Sequence, residues 1–423
     1  MKSLTFINPN DDCTSNLRAQ KSLLQTLPSN INSIFLNPIS LSDLPKDTKL
    51  KSRIALSINR SLPQLKQTLT TLNKSNLHLS AFTVDILGIF AVDIAREHNI
   101  PPYIFFFSNA MALSLVLHLS KLDESITCDF MDLNEPISLP GCIPLKRIDL
   151  PDHIQDKTNE AYRFALEKCK KYRLVEGIIV NSFRDLELEV FRAFKDGGWC
   201  NVPVYPVGPV VQSSGLSSSV DYLKWLDNQP DGSVFYVSFG SGWTLSYNQL
   251  MELAFGLEMN GQRFLWLVKS PDEKGPNATF FTRVLGEDKK QGIGRFIVAP
   301  QGLVLSYCAT GGFLMHCGWN SCLDGIENGV PFIAWPLFAE QRMNAAFLTE
   351  GLKVSLRVEV NEDGIVERKL LGKLLKELIG GEEGKEIAKR MGVVKDGAKK
   401  AWSENGSSKK GLGELAYRWI GES

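Results

Sequence analysis

Six consecutive residues, His316-Cys317-Gly318-Trp319-Asn320-Ser321, bring an imidazole, a carboxamide and a hydroxyl onto one glycine-containing turn. They follow an apolar run, Gly311 to Met315, and lead into a stretch that reads as a short helix stopping at Gly329. A buried strand, Pro331 to Trp335, comes next. A polar turn that opens a helix after a strand is where an α/β fold binds phosphate, because backbone N–H groups lie unpaired there and the helix dipole favours negative charge. The segment is expected to hold the diphosphate of a nucleotide. Ser241-Gly242, also between a strand and a helix, offers a second hydroxyl and further amides to a phosphate oxygen.

The elements that must position these residues alternate along the chain. In the first half, Ser33 to Leu36, Leu79 to Asp85, Pro102 to Phe107, Gly177 to Asn181 and Val202 to Val207 read as buried strands. Arg53 to Leu72, Ile89 to His98 and Glu160 to Tyr172 read as helices between them. Such alternation predicts a parallel sheet covered on both faces. Tyr205 to Pro209 breaks regular structure, and the serine-rich run Ser213 to Ser219 reads as a linker. A second series follows: strand Ser233 to Phe239, helix Tyr247 to Met259, strand Arg263 to Val268, then the polar turn. Ala345 to Glu350 and Glu367 to Ile379 read as helices, and Ser407-Ser408 caps a last one carrying Leu412, Leu415 and Trp419.

Composition narrows the classes. A chain of 423 residues with 43% hydrophobic content can fill two or three cores. Its 47 basic and 47 acidic residues balance, which argues against a nucleic-acid partner. Tyr103 to Leu119 is interrupted by Ser108, Asn109, Ser114 and His118, so it falls short of a membrane span. The start has no secretory h-region, and eight scattered cysteines without a C-x-x-C pair suggest neither a zinc site nor a disulfide framework. A reduced, cytoplasmic protein is expected. No G-x-G-x-x-G follows a predicted strand and no P-loop occurs, which speaks against a nicotinamide oxidoreductase.

The run Val298 to Gln341 closely resembles the signature box of plant secondary-product glycosyltransferases, which use UDP-sugars. PPYIFFF, LPGC, EGIIVNSF, YPVGP, LKWLDNQP, SVFYVSFGSG and GLEMNGQRFLW extend that resemblance over most of the chain. It is nearest to the type acting on hydroquinone and other small phenols. The resemblance implies an α/β protein of GT-B type, with two Rossmann-like domains facing across a cleft. It places an acceptor-binding domain at 1–212, a UDP-sugar domain at 220–402, and a helix at 403–423 packing back on the first. The expected partners are a UDP-sugar and a small phenol, met by a monomer with no cofactor or metal.

Carried over position by position, Ser241, His316, Asn320 and Ser321 would contact the diphosphate and sugar, with Gln301, Gly318 and Phe338 as further donor-binding positions. Trp319 would lie beside the transferred sugar, its alternative being simple packing. Asp324 replaces the family's ribose-gripping Glu with a shorter arm, and Glu340-Gln341 would hydrogen-bond the sugar hydroxyls. Val298 stands where the family stacks a Trp on uracil, a loss of roughly 1–3 kcal/mol. Tyr307 replaces a family histidine. Phe106 and Phe107 would line the acceptor pocket, with ordinary strand core as the alternative.

The chemistry needs a base for the acceptor proton. Asp85 matches the carboxylate that orients the family's catalytic His, its alternative being a helix cap, but the His itself has no counterpart. Ser3 to Pro9 already matches the family's second strand, so the first β-turn-α unit is expected to be absent, leaving a gap in the sheet. A second gap is expected between Lys269 and Val298, where a strand of the family gives way to the charged stretch Gly286 to Gly294. His78, His98, His118 and His153 read as surface or core residues. Two functions therefore stay open: an inverting glucosyltransferase acting on a small phenol, and a weakly active or non-catalytic relative of one.

Overall fold

Runs such as Val234–Ser238, in which every residue is buried, can only be interior strands of a sheet covered on both faces. The computed structural model describes residues 3–11, 14–45, 48, 50–74, 78–211, 221–240, 244–259, 261–267, 294–296 and 300–421. In chain order these form β1 (Leu4–Asn8), α1 (Thr14–Gln25), β2 (Ile31–Phe35), α2 (Leu50–Lys74), β3 (Phe82–Asp85), α3 (Ala91–Glu97), β4 (Pro102–Phe106) and α4 (Ala110–Ser125). The first half continues with α5 (Asp152–Gln155), α6 (Glu160–Lys171), β5 (Gly177–Val180), α7 (Leu188–Asp196) and β6 (Val204–Pro206). The second half begins α8 (Asp221–Asp227), β7 (Val234–Ser238), α9 (Tyr247–Met259), β8 (Arg263–Leu267), β9 (Gly294–Phe296) and α10 (Gln301–Leu305). There follow β10 (Thr310–Met315), α11 (Trp319–Asn328), β11 (Phe332–Ala334), α12 (Gln341–Ala346), β12 (Ser355–Arg357), α13 (Arg368–Gly380), α14 (Glu382–Ala401) and α15 (Ser407–Ile420).

The second-half sheet runs β12-β11-β10-β7-β8-β9, and every pair in it is parallel. Its chain order reverses between β7 and β10. That is the switch point of a doubly wound sheet, where loops at the carboxyl ends of the strands part and leave a crevice. β9 corrects an expectation. A strand does form next to β8, with Phe264 opposite Gly294, so the predicted loss of a strand before Val298 does not hold. Most of the charged stretch Gly286 to Gly294, like the linker Ser213 to Ser219, lies outside the described residues.

Among the described residues the first-half strands form two sheets. β3-β4-β5-β6 is parallel throughout, while β1 and β2 pair only with each other. Leu36 and Leu69 nevertheless share one hydrophobic cluster with Ala91, Ala95 and Ile100, so α2 and α3 hold the ribbon beside the larger sheet. Leu4 and Phe6 stay 52% and 42% exposed, in line with a strand lacking neighbours on its open side.

The halves are joined extensively. One cluster of buried residues runs from Ile104 and Ile178 through to Phe313 and Phe332. α15 lies on the first-half sheet, where Leu415 packs with Tyr103, Ile179 and Tyr205, and Trp419 meets Tyr103 edge-on at 5.4 Å. Ser408 donates its hydroxyl to the Gly208 carbonyl, and the Trp402 indole to that of Pro209 at 2.9 Å. On another face three ion pairs cross over: Lys146–Glu350 at 3.0 Å, Arg342–Asp152 at 2.8 Å and Arg357–Asp149 at 2.6 Å.

Candidate active site

At the switch point, β7 runs on into Phe239-Gly240 and β10 into His316-Cys317-Gly318. Gly240 has φ +72°, and a Cβ built on it would sit 2.7 Å from His316 Nε2. A Cβ on Gly318 would sit 2.5 Å from the same atom. The imidazole therefore lies against both loops, in space that exists only because neither carries a side chain. Cys317 takes a left-handed φ of +61°, which costs a non-glycine residue about 1–2 kcal/mol. Burial pushes its thiol up to about 12, so the sulfur stays neutral and is not a nucleophile.

Gly318 is the N-cap of α11, and no side chain caps that helix. Its first-turn amides thus face the crevice with the helix dipole behind them, the arrangement an anion binds to. Asn320, in this turn, is exposed. Trp319 is only 3% exposed, and its indole donates to the Asn181 carbonyl at the end of β5, at 2.6 Å. Its ring is thus buried between the two halves.

Gln301, the first residue of α10, gathers the other polar groups of α11. Its Nε2 donates to Asp324 Oδ2 at 2.6 Å and to Ser321 Oγ at 3.1 Å. Burial raises the Asp324 carboxyl to about 6, while the Gln301 hydrogen bond pulls it the other way. Between 3.8 and 6 the folded protein therefore keeps a proton that the unfolded chain has released. Stability contributed by the protonated group is full below 3.8, falls as pH rises through 6, and stays lost above. Asp324→Asn keeps an acceptor for Gln301 without a charge. It is expected to raise the melting temperature at about pH 7.5 and to leave it nearly unchanged at about pH 3.5, as thermal melts at both would show.

Glu340 is half-buried at the N-cap of α12, beside half-buried Phe338. Gln341 is 4% exposed and its Oε1 accepts from the backbone N–H of Leu337 (3.0 Å) and Phe338 (3.2 Å). That oxygen shapes its own loop, so the amide nitrogen is the end able to address a ligand. Ser241 and Val298 lie outside the described residues.

On the facing half, Asp85 ends β3, and its Oδ1 accepts from the N–H of Leu87 (2.9 Å) and Gly88 (3.0 Å). It fixes a turn, and the cap of α3 is Phe90, so the simple helix-cap alternative is corrected. His98 contacts the Ile94 carbonyl and the Thr70 hydroxyl through its two ring nitrogens, both at 2.9 Å. His118 hydrogen-bonds the Ser114 carbonyl and packs against Trp199, the ring centroids 3.9 Å apart and the planes tilted by 52°. Phe106 is 4% exposed and faces Tyr172 in the core, whereas Phe107 is half-buried and retains surface to offer.

Sequence spacing does not reveal Asn109, Asn181, Glu187 and Asn344, which the fold brings to the loop from both halves. Asn109 and Asn344 touch across 235 positions. The only local signal is the polar residue at the end of each of β4 and β5.

With this geometry in hand, similarity to known proteins is specific. Residues 217–397 match the family described as UDP-glucoronosyl and UDP-glucosyl transferase. A hydroquinone glucosyltransferase from Rauvolfia serpentina is 46% identical over 98% of this chain and 91% of its own. Among solved structures, a UDP-glucosyltransferase from Polygonum tinctorium capable of glucosylating indoxyl, in complex with 3,4-dichloroaniline, superposes with a TM-score of 0.91 at 42% identity, covering 99% of this chain and 93% of that one. Phytolacca americana UGT2 complexed with UDP-2-fluoro-glucose and pterostilbene gives 0.89 at 44% identity, with the same coverages. The crevice at the β7/β10 switch point, facing a second α/β domain, is thus that of a GT-B transferase, and the chain belongs to the UDP-glycosyltransferase family.

Proposed function

We propose that this chain transfers glucose from UDP-glucose to the hydroxyl of a small phenol, inverting the anomeric carbon. The observation that carries this reading is His316 lodged between Gly240 and Gly318 beside the uncapped start of α11. The diphosphate would lie on those amides, with His316, Asn320, Ser321 and Ser241 around it. Asp324, held by Gln301, would face the ribose, and Val298 the base. Glu340 and the Gln341 amide nitrogen would face the sugar hydroxyls. The acceptor oxygen bonds to the anomeric carbon as that carbon's bond to the β-phosphate oxygen breaks, UDP leaves with the electron pair, and the acceptor's O–H proton passes to solvent. No cofactor enters this scheme, and the chain would act as a cytoplasmic monomer; among the described residues no helix is long and apolar enough to cross a membrane.

A phenolic acceptor is favoured by the names of the relatives, which mention hydroquinone, indoxyl and pterostilbene. A second reading, weak turnover, is favoured by Asp85, whose Oδ1 is committed to two turn amides, and by His98 and His118, which are tied to helix carbonyls. The test is incubation of the purified chain with UDP-glucose and hydroquinone, with chromatographic detection of the glucoside. Rapid conversion supports the transferase; UDP binding without product supports the weak relative; neither binding nor product sinks both.

A further inference from the structure

We infer that Asn344 is a positioning residue of the donor loop, the second link of a two-carboxamide bridge by which the first domain holds the Cys317 peptide in its left-handed turn. This rests on the reading of that loop as the diphosphate site. Asn109 and Asn344 are both fully buried. Asn109 Oδ1 accepts from the Ala112 N–H at 2.7 Å and caps α4. Its oxygen being committed to the helix, Asn109 must turn its Nδ2 outward, and this donates to Asn344 Oδ1 at 2.9 Å. Asn344 in turn must present Nδ2 on its other side, where it donates to the Cys317 carbonyl at 2.9 Å. The bridge has one polarity, set by the helix, and the Asn344 carboxamide serves it by accepting on Oδ1 and donating from Nδ2.

The anchor of the bridge is itself fixed. The Glu187 carboxylate accepts from the N–H groups of Ala110 and Met111, both at 2.8 Å, and from the Ser182 hydroxyl at 2.5 Å. α4 is thereby pinned to the loop after β5. That loop also receives the Trp319 indole, on the Asn181 carbonyl. The residues on both sides of Gly318 are thus tied to the first domain: Trp319 directly by its indole and Cys317 by its carbonyl through Asn344. The left-handed turn at Cys317 aims the N–H groups that open α11. Donor affinity is therefore set in part by side chains that touch no ligand.

The experiment is calorimetric titration of UDP into the full chain and three variants, Asn344→Asp, Asn109→Asp and the double substitution, each checked for a cooperative thermal melt. Asn344→Asp keeps the acceptor but sets a carboxylate against the Cys317 carbonyl; it is expected to weaken UDP about tenfold. Asn109→Asp keeps the oxygen that caps α4 and loses only the outward donor, so its loss is smaller but in the same direction. The double variant should lose less than the two losses combined, because both break one bridge. A purely structural role would lower the melting temperature and leave UDP affinity within twofold, and that result, or strictly additive losses, overturns the inference. If Asn344→Asp melts without cooperativity, Asn109→Asp alone decides by the same twofold criterion. Absence of UDP heat with the unmodified chain would instead overturn the diphosphate reading, and the inference with it.

Discussion

Glucosylation of hydroquinone by this chain is expected to accelerate about tenfold per pH unit from pH 7 to pH 9, because a phenol ionises near 10 and only about a thousandth of it is phenolate at pH 7. The expectation follows from Asp85, whose Oδ1 accepts from the Leu87 and Gly88 N–H groups, and from His98 and His118, whose Nδ1 atoms contact helix carbonyls. On the weak-turnover reading no imidazole takes the acceptor proton, which then leaves to solvent before attack, and the rate tracks the phenolate fraction. A positioned imidazole would instead give a rate that levels off above about pH 7 and a gain of roughly 10²–10⁴. Initial rates under donor saturation at five pH values settle the matter. A plateau from pH 7 upward would show a base at work. The same logic predicts that phenols of lower pKa react faster at pH 7.

Gly318→Ala is expected to weaken UDP binding by about 1.5–3 kcal/mol, roughly ten- to a hundredfold, the worth of a hydrogen bond to a charged group. The new methyl would fall 2.5 Å from His316 Nε2, and retreat is blocked because the ring already lies against Gly240. The imidazole must leave its place, although His316 itself is retained. Gly318 has φ −63° and ψ 135°, which alanine adopts without strain, and the poorer N-cap costs α11 only about 1 kcal/mol. Calorimetry should show the loss of affinity while the ligand-free melt shifts by a few degrees. Unchanged affinity would mean that the imidazole does not meet the diphosphate.

Much of this site is written locally in the chain. β7 and β10 announce themselves as uninterrupted apolar runs that end in polar turns, and α11 is bounded by Gly329, whose φ of +75° is the left-handed cap that stops a helix. The resemblance of the 298–341 run then indicates which loops to examine. Other features depend on where distant segments land. β9 is three residues long, too short for any periodicity, and exists because β8 offers it an edge. α14 carries Gly384, Gly392 and Gly397, which oppose a helix by propensity, yet it forms over 20 residues by packing Ile387, Met391 and Ala398 inward. Whether Gln341 addresses a sugar or its own loop depends on two backbone N–H groups that no side-chain pattern encodes. The Asn109–Asn344 contact is invisible to spacing for the same reason.

The three ion pairs from Lys146, Asp149 and Asp152 to Glu350, Arg357 and Arg342 also bear on how such a molecule can open. Asp149 is 1% exposed, so parting it from Arg357 would strand a charge away from water. If one lobe swings, the cheapest hinge leaves these contacts intact and lets residues 146–152 ride with the opposite lobe. The piece of chain that travels with the second half would then include a strap from the first, and the crevice between the halves would change shape whenever the lobes rotate.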